Sequence, residues 1–160
     1  MEEMSETPTP LESRTMAEVA EHACRLHAEG QDIVFTAAVI HEGHVIARAA
    51  NEVGETGDVS RHAEVVAMAR ATAALGRRDL EGCVLLASCQ PCEMCLAAMR
   101  WAKIDRVIFA AQKDNIRREF FRFPGLDLSD FLAAADEGVT ALGGICEDKV
   151  LHIYAPEGEG

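Results

Sequence analysis

The sequence predicts an α/β domain, a mixed sheet of five strands covered by helices on both faces. Three observations carry this. Helical periodicities and β-rich apolar runs alternate in the order α-β-β-α-β-α-β-α-β. The first two apolar runs are separated only by a tight turn, as in a hairpin. The chain has 160 residues and is 49% apolar, enough for one domain with a real core.

Residues 1–13 are acidic and rich in proline and threonine, so a disordered lead-in is expected there, ahead of a single domain at 14–156. Over 15–29, Met16, Val19, Ala20, Ala23 and Leu26 recur at helical spacing, and Gly30 is a natural stop. Residues 33–40 form a nearly continuous apolar run and read as a strand buried on both faces. His41-Glu42-Gly43-His44 is a turn, and 45–50 completes a hairpin. Residues 51–60 read as a loop. Residues 62–75 form an alanine-rich helix closed by Gly76, and 83–87 a short buried strand. Pro91 suits the first position of a third helix, which runs to about Ala102. Arg106–Ala111 is a strand, and 112–124 a polar and aromatic connection without a readable form. A short helix at 128–135 begins near Asp127, and 139–142 is the last strand. Residues 145–154 fit a helix or an extended segment equally well.

The net charge is −12, and the densest basic pair near the second half, Arg117-Arg118, is followed at once by Glu119 and reads as a solvated surface. A polyanion binder presents a basic stripe, so a nucleic-acid partner is not expected. No apolar run approaches the roughly 20 residues that span a bilayer, so no membrane partner is expected either. The first ten residues lack a basic stretch followed by an apolar one, so no secretion signal and a cytoplasmic location are expected. In a reducing compartment, paired cysteines more often bind metal than form disulfides. Of six cysteines, Cys24, Cys83 and Cys146 sit in apolar surroundings and are expected to be buried small hydrophobes.

Two segments carry chemistry: His62-Ala63-Glu64 and Pro91-Cys92-Glu93-Met94-Cys95. Each lies at the predicted start of a helix. Cys92 and Cys95 are one helical turn apart, so both thiols face the same side. His62, Cys92 and Cys95 supply three of the four ligands zinc prefers, and no fourth follows at finger-like spacing, which leaves a position for water. Glu64, two residues after His62, is placed to take a proton from that water and deliver it to a leaving group. The order His-x-Glu, then Pro-Cys-x-x-Cys about 30 residues on, is a signature of zinc deaminases. The residues alone also admit a closed structural zinc site or a redox pair at Cys92 and Cys95.

Together with VFTAAVIHEGHVIARAAN, RHAEVVAM, SCQPCEMCLAAMRWAKIDRVIFAA and the weaker GVTALGGICEDKV, these motifs resemble the cytidine deaminase superfamily across roughly residues 15–154. Within it they resemble the branch of guanine, cytosine and tRNA adenosine deaminases. The resemblance implies a three-layer α/β/α fold that holds one zinc ion per subunit, with a bound water or hydroxide, between two helices. It implies that His62, Cys92 and Cys95 are ligands and Glu64 the proton shuttle. Asn51 stands where the family binds the substrate ring or sugar. Phe35 matches a pocket-lining phenylalanine, although its neighbours are Val34 and Thr36 rather than proline and glycine. Trp101 follows the metal helix as a cap for the pocket or a subunit interface. Asp114 is the early acid in QKDNIRREFFRF and the candidate there for substrate binding; the acidic pair of guanine deaminases has no match later in that segment. Gln90 replaces a glutamate that many relatives carry before the proline. The implied activity is hydrolytic removal of an exocyclic amine from a free nucleobase or nucleoside, as in purine or pyrimidine salvage, with guanine-type rings ahead of cytosine-type. The alternatives are a tRNA adenosine deaminase and a non-catalytic zinc-stabilised module. A homodimer or higher homo-oligomer is implied as well.

Overall fold

In the computed structural model, which describes residues 6–157, five strands form one sheet in the order β2-β1-β3-β4-β5. They are β1 (Thr36–His41), β2 (His44–Ala50), β3 (Cys83–Cys89), β4 (Arg106–Ala111) and β5 (Thr140–Leu142). β1 is antiparallel to both β2 and β3, and β3, β4 and β5 run parallel, so the sheet is mixed as predicted. The hairpin turn places Glu42 at φ 47° and Gly43 at φ 78°. Positive φ at both central residues is the turn whose twist matches the flanking strands.

The strands' two-residue alternation divides the core. Ala38, Ile40, Leu86, Ile108 and Ala110 face one layer, where α1 (Pro10–Ala28) and α6 (Glu147–Tyr154) bring Met16, Val19, Ala20, Val150 and Ile153. Ala37, Val39, Leu85 and Val107 face the other, where α3 (Ala63–Leu75) and α4 (Glu93–Trp101) bring Val66, Ala67, Leu96 and Met99. Leu128 and Phe131 of α5 (Leu128–Ala134) pack on that second layer, and a single turn of helix, α2 (Val53–Thr56), interrupts the loop after β2.

Several boundaries differ from the expectations. The first helix starts at Pro10, so 10–13 of the expected disordered lead-in are helical; residues 1–5 of that lead-in lie outside the described residues. Pro10 opens the helix behind a reciprocal capping box. Glu12 N–H donates to Thr9 Oγ1 at 3.1 Å and Thr9 N–H to Glu12 Oε1 at 2.8 Å. Composition hid this signal. The first strand begins at Thr36 rather than residue 33, because Val34 gives its carbonyl to the Tyr154 hydroxyl at 2.7 Å instead of to a neighbouring strand. The third helix starts at Glu93 rather than at Pro91, which lies before the Cys92 cap. The undecided stretch 145–154 is helical from Glu147, and 112–124 holds two 3-10 turns, Lys113–Asn115 and Arg118–Phe120. Cys83 is buried as expected, whereas Cys24 and Cys146 are only half-buried. Arg117 is not simply solvated: its guanidinium lies 4.7 Å from the centre of the Phe120 ring.

Candidate metal centre and its cavity

β3 ends at Cys89, and the chain turns through Gln90 and Pro91 into α4. β2 ends at Ala50, and the chain returns through residues 51–61 into α3. The N-termini of α3 and α4 converge there. Their N-cap residues are His62 and Cys92, and neither uses its side chain to cap. Both positions are given to donor atoms instead of the serine, threonine, aspartate or asparagine that stabilises a helix start.

His62 Nδ1 lies 3.4 Å from Cys92 Sγ and 3.6 Å from Cys95 Sγ, and the two sulfurs are 3.7 Å apart. Tetrahedral zinc, with bonds of about 2.3 Å to sulfur and about 2.0 Å to nitrogen, separates two sulfurs by ~3.8 Å and sulfur from nitrogen by ~3.5 Å. The three donors therefore fit zinc. Among the described residues they are the one group of histidine, cysteine and carboxylate donors close enough to hold a metal. Among the described residues no fourth ligand completes the group, which leaves a position open as in catalytic zinc sites. The two thiols share one negative charge, held on Cys92, while the hydrogen bond with Cys92 and burial push the Cys95 thiol up. Hydrogen bonds from Cys95 and His62, together with the imidazole charge, bring the Cys92 pKa down to about 4. The Cys92 sulfur in turn raises the His62 pKa above its ordinary value.

Glu64, in the first turn of α3, is buried at 5% exposure, and its Oε2 lies 2.9 Å from Cys95 Sγ. Burial pushes its carboxyl pKa up, the condition of a group that exchanges a proton rather than holding a fixed charge. Glu64 is outside the donor triad yet adjacent to it, where a proton shuttle belongs.

A cavity of about 680 Å³ opens above this group. Asn51 and Phe35 both line it. Asn51 also forms a turn, its Oδ1 accepting Val53 N–H at 2.9 Å. Phe35 stacks on Tyr154 with ring centres 5.3 Å apart and meets the edge of Phe120 at 5.3 Å, so one wall is aromatic.

The other two expected substrate residues are not brought to the cavity. Trp101 is 89% exposed at the far end of α4, roughly 12 Å along the helix axis from Glu93, and does not line the cavity. Asp114 sits exposed in the first 3-10 turn, also off the cavity. Asn115 Nδ2, donating to Glu147 Oε1 at 2.9 Å, and Lys113 N–H, donating to Gln90 Oε1 at 3.0 Å, hold that turn so that the later residues Glu119, Phe120, Arg122 and Phe123 reach the cavity instead. The sequence reading did not single these out. Their signal is the aromatic run Phe120-Phe121-Arg122-Phe123 in a segment otherwise polar. Glu93 locks the run in place, its carboxylate accepting the N–H groups of Arg122 at 3.4 Å and Phe123 at 3.0 Å.

Comparison with known proteins places this geometry in context. The model of the cytidine and deoxycytidylate deaminase zinc-binding region matches residues 10–111. Guanine deaminase of Bacillus subtilis is 41% identical over 78 residues, 49% of this chain and 50% of that protein. A probable cytosine deaminase of Schizosaccharomyces pombe is 35% identical over 128 residues, 77% of each chain. A solved structure from studies of A-to-I editing by tRNA:A34 deaminases superposes with a TM-score of 0.71 at 26% identity, covering 87% of this chain and 98% of that one. The match thus spans half of the guanine deaminase's length and about three quarters of the fission-yeast protein's.

Proposed function

Since this chain belongs to the cytidine and deoxycytidylate deaminase zinc-binding family, we propose that it hydrolyses the exocyclic amine of a free nucleobase or nucleoside and releases ammonia. Guanine-type rings stand slightly ahead of cytosine-type, in keeping with the identity to the Bacillus subtilis enzyme. The observation that carries the reading is Glu64, a buried carboxylate beside, but outside, a three-donor zinc group on the floor of an aromatic-walled cavity.

Zinc bound by His62, Cys92 and Cys95 supplies Lewis acidity that makes water a nucleophile near neutral pH. Glu64 accepts the proton released as the water oxygen bonds to the amine-bearing ring carbon. It passes that proton to the neighbouring ring nitrogen, then takes the proton of the new hydroxyl and delivers it to the amine nitrogen as the carbon–nitrogen bond breaks, so the ring keeps an oxo group and an N–H while ammonia departs. Phe35 supports a flat ring, and Asn51 offers its amide for orientation. Burial keeps the Glu64 proton from exchanging freely with solvent.

Apart from Glu64 and the metal donors, the charged side chains lining the cavity are Glu93, Glu119 and Arg122, two carboxylates against one cation. A polyanion needs the reverse balance, which supports a small substrate over tRNA. A panel of bases, nucleosides, aminated triazines and pterins, together with an adenosine-bearing tRNA stem-loop, assayed for ammonia and zinc content, tests the reading. Glu64→Gln is expected to keep zinc and lose about a hundred- to ten-thousandfold in rate. An active Glu64→Gln variant, or a native fold without zinc, overturns the mechanism, and turnover confined to the tRNA stem-loop overturns the substrate assignment.

A further inference from the structure

We propose that Gln90 determines which ring edge the cavity accepts, its carboxamide N–H donating to a carbonyl oxygen of the substrate. The proposal rests on the deaminase reading above for its choice of ligands. Gln90 is held at both ends. Its backbone N–H donates to Ala111 O at 2.7 Å, and its Oε1 accepts Lys113 N–H at 3.0 Å. Lys113 is itself pinned, its Nζ donating to Pro124 O at 2.9 Å and Leu126 O at 2.6 Å. The carbonyl end of the Gln90 amide is therefore committed to the protein. The Nε2 end has no partner among the described residues and is accessible to solvent. Gln90 lines the cavity next to Cys89 and Cys92.

Asn51 has the same polarity. Its Oδ1 is taken by Val53 N–H, which leaves Nδ2 as the free end. Both neutral amides of the cavity thus spend their acceptors on backbone and keep donors for a ligand. The donor from Gln90 is preorganised, because rotating it away breaks the bond to Lys113. A ring with an acceptor at that edge completes the hydrogen bond. A ring with an N–H or amino group there sets donor against donor and leaves both unpaired, which is the costly arrangement.

Gln90→Glu is the decisive substitution. It keeps an oxygen for Lys113 N–H and turns the cavity-facing donor into an acceptor. Gln90→Met removes the donor at similar volume and adds no acceptor. The probes are carbonyl-for-amino pairs, cytosine against 2,4-diaminopyrimidine and guanine against 2,6-diaminopurine. Each is measured both as kcat/KM for ammonia release and as Kd by titration calorimetry. The wild type is expected to favour the carbonyl member by about tenfold or more. Gln90→Met is expected to bring that ratio near one, and Gln90→Glu to bring it below one. A wild-type ratio near one overturns the proposal, as does a ratio unchanged in both variants while overall activity falls, which marks Gln90 as a support for the 112–127 segment alone. Calorimetry needs no turnover, so the expected ratio in binding with no ammonia release overturns the deaminase reading and leaves the role of Gln90 standing.

Discussion

His62 and Cys92 each occupy the residue just ahead of a helix without capping it, so both helix starts depend on what the donors hold. Zinc then contributes to folding as well as chemistry. Stripping zinc with a chelator is expected to lower the melting temperature, and Cys92→Ser or Cys95→Ser to abolish the response to added zinc, read by calorimetry with metal analysis. Tyr154 is a second single residue with a wide reach. Its hydroxyl donates to Val34 O at 2.7 Å and meets Ser88 Oγ at 2.8 Å, and that same Ser88 oxygen accepts Thr36 N–H at 3.0 Å. Three segments share this buried chain of bonds. Tyr154→Phe leaves the Val34 carbonyl without its donor and is expected to cost about 1–3 kcal/mol in denaturant unfolding. The ring on which Phe35 stacks is kept, so the variant is expected to retain its binding of flat substrates.

At the level of elements, the first helix and the join between β5 and α6 show what small local features decide. The Thr9–Glu12 capping box sets where α1 begins, and Thr9→Ala is expected to cost about 1 kcal/mol in thermal unfolding. Gly143 lies against the Phe109 ring, and a Cβ built there would sit 2.6 Å from Phe109 Cε2. Gly143→Ala therefore has to displace a buried aromatic side chain of β4. The expected cost is about 1–3 kcal/mol, with no change in zinc content. The aromatic turn Arg118–Phe120 reaches the cavity because neighbouring bonds from Gln90, Glu93 and Glu147 fold the segment over it.

Across the whole molecule, one buried ion pair ties the N-terminal helix to the sheet. Arg106, the first residue of β4, donates from Nε and Nη2 to the two Glu12 oxygens, each at 2.8 Å. Glu12 is 4% exposed and Arg106 6%. Burial alone raises the Glu12 pKa, but the bonds from Arg106 and the Thr9 backbone outweigh it and hold the carboxyl below its ordinary value. A folded-state pKa below the unfolded one means that the pair stabilises fully above the unfolded value of about 4.3. That stability is lost as pH falls through the lower folded value. Glu12→Gln is expected to cost roughly 3–5 kcal/mol at neutral pH, because it removes the buried carboxylate charge that takes two of the Arg106 hydrogen bonds. The difference from the wild type shrinks in acid, as read by urea unfolding from pH 7 down to 3.

The sequence by itself determined the sheet order's raw material and the metal donors. A two-residue or three-to-four-residue period is local, and so is the Cys92–Cys95 spacing that puts two thiols on one side of a turn. His62 and Glu64 were legible for the same reason, as two residues at the head of one helix. Only the tertiary structure decided which side chains wall the cavity. Asp114 and Trp101 do not line the cavity, while Glu119, Phe120 and Phe123, further along the chain from the metal donors, do. The direction of the Gln90 amide was equally invisible, since it is set by a backbone N–H on the next segment. Contacts between segments depend on how loops fold over the finished sheet, and no periodicity along the chain encodes that.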